Sequence, residues 1–170
     1  MPQGNAPSRH FESTPMNDAD PPYMLDTNVF NDVLDGKISP TALTGHRLLV
    51  IGVQAAELNA TRNSERRADL WAVFEEISPS KEPAASFAWG IEGAGWDEAY
   101  WNDGSGNFQR MFARLGELDS QKKKNTGDLN KMRDILIAET AIKNCAVLVT
   151  RNCNLRQVVC EFGGRASRLP

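Results

Sequence analysis

The chain has 170 residues, 41% of them hydrophobic and 24% charged, with a formal net charge of −3. That is apolar material for one α/β domain able to fold alone; no apolar run approaches the roughly 18 residues that span a bilayer, and the negative balance argues against extended, sequence-independent binding to nucleic acid. Cys145, Cys153 and Cys160 are an odd set without a Cys-x-x-Cys pair, which argues against a disulfide framework or a structural zinc site.

Residues Met1 to Pro22 are rich in Pro, Asn, Ser and Asp without an apolar period, the composition of a flexible tail. They also lack the apolar core of a signal peptide, so cytoplasmic residence is expected. Tyr23 to Leu25 reads as a buried strand, and Val29, Phe30, Val33 and Leu34 follow at helical spacing up to Gly36. Leu48 to Ile51 is a second strand, with a helix starting at Val53 and another over Glu65 to Ile77. Between residues 80 and 106 the period is lost in an irregular Trp- and Gly-rich insertion holding Trp89, Trp96, Tyr100 and Trp101. Phe108 to Leu118 resumes helical spacing, and Lys122 to Gly127 is a polar linker. A long helix over Asp128 to Lys143, a third strand at Ala146 to Val149 and a short helix from Leu155 to Phe162 complete the pattern. Strand-then-helix order predicts a central parallel β-sheet flanked by helices on both faces. The expected division is a tail over 1–22, one domain over 23–165 and a C-terminal tail over 166–170.

Asp26 stands where the first strand stops and a helix begins, the junction at which open α/β folds place their chemistry. Glu57 follows the second strand, and Asp134 lies early in the helix before the third. Carboxylates gathered in a small volume repel one another unless a cation neutralises them. Magnesium, a hard ion preferring oxygen, suits such a set.

The segments Leu25-Asp26-Thr27-Asn28-Val29, Ala56-Glu57-Leu58, Asp134 to Ala141 and Val147 to Leu155 together resemble the PIN-domain ribonucleases, especially the VapC-type toxins of bacterial toxin–antitoxin pairs. The resemblance covers Tyr23 to Val159 and matches poorly through the Trp-rich middle. It implies a PIN-like fold and magnesium-dependent hydrolysis of RNA phosphodiesters, with manganese able to substitute. The implied metal-ligating acids are Asp26, Glu57 and Asp134. The family pattern puts a fourth acid after Thr150-Arg151, where this chain has Asn152; an amide oxygen can coordinate magnesium but brings no charge. Asn28 and Thr150 would orient the acids, and Arg151, or less directly Arg133, would contact phosphate. RNA as substrate, an antitoxin protein and a homodimer are the implied partners, with no membrane association.

Blander readings stand beside these. Asp26 could merely cap the next helix, Glu57 could be a solvated acid favoured by the helix dipole, and Asp128 reads as a cap. Glu139 falls about 140° around the helix from Asp134, at roughly 100° per residue, and points elsewhere. The Lys122 to Lys124 run reads as a solvated loop. The tryptophans suit core or dimer packing more than base stacking. A competing function is a catalytically degenerate PIN domain that binds RNA or protein without cutting. A phosphatase of the haloacid dehalogenase type would want a second acid two residues after Asp26, where Asn28 stands.

Overall fold

The computed structural model describes residues 20–77, 79–101, 104–122 and 127–168. The expected tail up to residue 19, most of the polar linker and residues 169–170 lie outside the described residues. In chain order the elements are β1 (Tyr23–Leu25), α1 (Thr27–Leu34), a 3-10 turn (Pro40–Leu43), β2 (Leu48–Val50), α2 (Gly52–Asn59), α3 (Ser64–Ile77) and β3 (Ser80–Lys81). After the insertion come α4 (Asn107–Gln121), α5 (Asp128–Lys143), β4 (Val147–Val149), α6 (Cys153–Glu161) and β5 (Arg165–Ser167).

All five strands are parallel, in the order β3-β2-β1-β4-β5. The chain starts at the centre of the sheet, winds outward through β2 and β3, then returns to place β4 on the other side of β1. The winding therefore reverses between β1 and β4, where Met24 pairs with Leu148 and Leu25 with Val149. A crevice at the carboxyl ends of these two strands is the consequence.

Alternation along the short strands splits the core in two. Met24, Leu49, Ile51 and Leu148 face α4, α5 and α6, packing with Met111, Leu115, Ile135, Leu136 and Val158. Leu25, Leu48, Val50 and Val149 face the other way, onto Val29, Phe30, Leu58, Leu70 and Val73 of α1, α2 and α3. Each fully buried side chain of this size contributes roughly 1.5–3 kcal/mol. Helix α5 is covered on all sides over Ile135 to Ala141, because the sheet, two helices and part of the insertion enclose it.

The three strands expected from apolar runs are β1, β2 and β4. The outer strands β3 and β5 were not expected. They are two and three residues long, and Ser80, Lys81, Arg165 and Ser167 are largely exposed, so backbone pairing at the edges forms them without an apolar signature. Ala166 and Ser167, assigned by the sequence to a C-terminal tail, belong to β5 and pair with Leu148 and Val149. Asp128 is also corrected: Gly127 holds the cap position, and Asp128 lies in the first turn of α5, paired with Lys131 at 2.8 Å.

The insertion is anchored on its inner side. Ala84, Ala85, Ala88, Ile91 and Ala94 are buried, the Ala85 N–H donates to Thr140 Oγ1 at 2.9 Å, and the backbone pairs Ala84 with Ala99. Gly93, at φ 87°, touches Gly52 at the start of α2 so closely that a Cβ on it would lie 2.0 Å from the Gly52 carbonyl carbon. The tryptophans do not enter the core: Trp89, Trp96 and Trp101 are 79%, 63% and 70% exposed. Small residues fill the space beneath the segment and leave no room for indoles there.

Candidate active site

Asp26 leaves β1 at the switch crevice, fixed by its own N–H donating to Val149 O at 3.0 Å. It occupies the N-cap position of α1, but its side chain closes no cap hydrogen bond, so the simple capping role fails. The buried carboxylate instead accepts from Thr150 Oγ1 at 2.5 Å and from Asn28 Nδ2. Asn28 Nδ2 lies 3.2 Å from the same hydroxyl, and Asn28 Oδ1 accepts from the Arg151 N–H at 3.3 Å. The Asn152 N–H donates to Thr150 Oγ1 at 3.0 Å. One network thus joins the loop after β1 to the loop after β4.

Burial pushes the Asp26 carboxyl above the usual carboxylate range, against the Thr150 hydroxyl, the backbone N–H dipoles of Thr27 and Asn28 and the Asn28 amide. Glu57 is raised as well, first by burial and further by the negative charge of Asp26, while Thr27 and Arg133 pull it down. Its Oε2 accepts from Thr27 Oγ1, and its Oε1 sits 4.0 Å from Arg133 Nε. The two acids therefore sense each other, as paired carboxylates at a reaction centre do.

Asp134, in the second turn of α5, accepts from Asn152 Nδ2 at 3.2 Å. Asn152 Oδ1 accepts from the Leu155 N–H at 3.4 Å and caps α6. The amide therefore turns its donor side toward Asp134 and its oxygen toward the helix backbone. Among the described residues no three His, Cys, Asp or Glu side chains converge closely enough to hold a metal.

Arg151 is committed to Asp32, with Nε 2.8 Å from Oδ2. Asp32 is buried in α1 and also faces Lys37 Nζ at 3.6 Å. Sequence reasoning missed Asp32, although an acid three residues after Val29, on the buried face of α1, was the signal. It also missed Gln54, fully buried, whose Nε2 donates to Leu25 O at 2.7 Å and whose Oε1 accepts from the Ile51 N–H at 3.0 Å. Gln54 ties the ends of β1 and β2 beneath the acids. Asn28, Asp32, Lys37, Thr150, Arg151 and Arg168 line a cavity of about 390 Å³ beside the network. Glu139 points away from Asp134, as its helical position implies, and is buried beside Lys143 at 3.7 Å.

The class so defined is a doubly wound parallel α/β domain with two carboxyls near its switch point, Asp26 raised by burial and Glu57 raised by burial and by the charge of Asp26. No family model and no curated protein sequence matches the chain. Among solved structures the chain is similar to VapBC2 from Rickettsia felis bound to a DNA fragment from its promoter, with 16% identity, a TM-score of 0.45 and coverage of 87% of this chain and 98% of that one. It is also similar to VapBC-5 from Mycobacterium tuberculosis, a member of the VapBC family of toxin–antitoxin systems, with 20% identity, a TM-score of 0.41 and coverage of 87% and 96%.

Proposed function

We propose that this protein is a divalent-metal-dependent endoribonuclease whose reaction centre is the crevice between β1 and β4. The observation that carries the reading is the pairing of Asp26 with Glu57: two carboxyls both raised above their ordinary values by burial, with Glu57 raised further by the charge of Asp26. All their donor atoms are oxygens, which fits a hard cation such as magnesium, commonly held by one or two carboxylates. Asp26 and Glu57 would hold the ion, with Asp134 the third candidate across the crevice. Bound there, the ion would lower the pKa of water for attack on phosphorus and stabilise charge on the phosphate oxygens.

The chain's own groups have separable tasks. Thr150 and Asn28 fix the Asp26 carboxylate, Thr27 fixes that of Glu57, and Asn152 fixes that of Asp134. Arg151 and Lys37, held by buried Asp32, keep positive charge at the rim of the adjoining cavity, where an RNA phosphate would enter. The four motifs in the order of the VapC-type toxins support an antitoxin and a second copy of the chain as partners. Cytoplasmic residence is part of the same reading; among the described residues no helix is long and apolar enough to cross a membrane.

One observation favours the second reading, a binding domain that does not cut: Asn152 offers Asp134 a hydrogen-bond donor where a fourth acid would complete an anionic site. The deciding experiment incubates the protein with structured and single-stranded RNAs in magnesium, manganese or EDTA, beside Asp26→Ala. Metal-dependent cleavage reduced by at least about 100-fold in the variant supports the nuclease. RNA binding without turnover, together with no calorimetric magnesium binding, selects the non-cutting domain.

A further inference from the structure

The aromatic face of the insertion takes no part in the proposed reaction. Phe87, Trp96 and Trp101 form a three-ring cluster with centroids 5.2–5.8 Å apart, and Trp89 meets Phe87 edge-on at 5.3 Å. Beside the cluster lies a recess of about 340 Å³, lined by Phe87, Trp96, Asp97, Tyr100 and Trp101 over a floor of Pro83 and Ala99. Its base is fixed by the Gly93–Gly52 contact, the Ala84–Ala99 pairing and the buried alanines. The indoles are therefore displayed by a packed support, and so large an exposed aromatic group marks a contact surface.

Charge selects the occupant. From Ser80 to Trp101 the chain carries Glu82, Glu92, Asp97 and Glu98 against Lys81 alone. Glu82 pairs with Arg47 and Glu98 with Lys81, both at 3.2 Å, while Glu92 and Asp97 make no ion pair among the described residues. Asp97 lines the recess itself, at φ 64°. An acid beside electron-rich ring faces attracts a guanidinium or ammonium group and repels the phosphates of a nucleic acid strand. A second copy of the chain set face to face would bring two Asp97 carboxylates together. The first 22 residues offer one arginine, Arg9, against Glu12, Asp18 and Asp20, and so make a poor occupant too.

We propose that this recess docks an arginine or lysine side chain from a basic segment of a protein partner, the cation lying on the Trp96 and Trp101 faces against Asp97. The inference does not depend on the nuclease reading. It is tested on the full-length protein in EDTA, which prevents any cleavage, by titrating a short Arg-Gly repeat peptide, a Glu-Gly peptide of equal length and oligouridine, followed by indole fluorescence and calorimetry. Saturable binding of the Arg-Gly peptide alone is expected, weakened about fivefold or more by Trp96→Ala and by Trp101→Ala, and about threefold by Asp97→Asn, which keeps the side-chain shape. Circular dichroism confirms that each variant is folded, with Trp101→Phe as the milder replacement if Trp101→Ala is not. Oligouridine binding in place of the peptide would overturn the proposal in favour of base stacking. Equal binding of both peptides, no binding, or binding unaffected by Asp97→Asn would overturn it as well.

Discussion

The crevice between β1 and β4 and the aromatic insertion solve opposite problems. In the crevice, carboxylates are wholly or partly taken out of water, and each is engaged by a neighbour: Asp26 by Thr150 and Asn28, Glu57 by Thr27, Asp134 by Asn152. In the insertion, large apolar rings are pushed into water on a base of alanine and glycine. The first region stores electrostatic cost that a cation can release; the second stores apolar area that a partner can cover. Each is held by packing from elements remote in sequence, so neither would exist in an isolated segment.

The contrast breaks most sharply at the base of the insertion. Gly93→Ala puts a methyl group into the Gly52 backbone and should cost about 3 kcal/mol or more in urea unfolding; tolerance within about 0.5 kcal/mol would mean the insertion is loosely seated. In the crevice, Arg151→Ala leaves buried Asp32 with only Lys37 and should cost on the order of 2 kcal/mol. A neutral outcome would show that Lys37 alone compensates the acid.

Asn152→Asp keeps a good cap for α6 but sets a carboxylate against Asp134. Without metal it should destabilise by about 1 kcal/mol, and magnesium should restore the loss. Thermal melts with and without EDTA test this, and a loss that magnesium does not restore would argue against a cation between these residues.

The pH dependence follows from Asp26 and Glu57. Both carboxyls are raised in the folded state above their ordinary values of 3.8 and 4.5. Their contribution to stability is therefore fully present below those values and is lost as pH climbs through the folded pKa. In EDTA, Asp26→Asn should flatten this decline and raise the unfolding midpoint near neutrality; a steeper decline in the variant would contradict the raised carboxyl. The smallest effect concerns Cys153, whose thiol is pulled below its ordinary range chiefly by Lys122 Nζ at 3.2 Å. It should alkylate severalfold faster than Cys145 and Cys160, and Lys122→Ala should remove the difference.

Much of the fold was legible because three strands lie inside the sheet and read as apolar runs, while α1 and α4 carry clear helical spacing and α5 is an apolar stretch too long for a strand. The edge strands were not legible, since two or three exposed residues held by backbone hydrogen bonds leave no side-chain pattern. The candidate acids were legible through their order along the chain, Asp26 at the end of β1, Glu57 in the helix after β2 and Asp134 in the helix before β4, but their partners were not. That Arg151 would close on Asp32, and that Asn152 would present its amide hydrogens to Asp134, depends on rotamers set where separate helices meet.

The sequence by itself determined an α/β order of elements, an acid at the junction of β1 with α1 and two further acids within α2 and α5, because periodicity and composition are local properties. Tertiary structure decided that the winding reverses between β1 and β4, so that Asp26 and Thr150, distant in sequence, share a hydrogen bond. It also decided that the tryptophans face water, because the floor beneath them is already filled by alanines packed on α5 and by the Gly52–Gly93 contact.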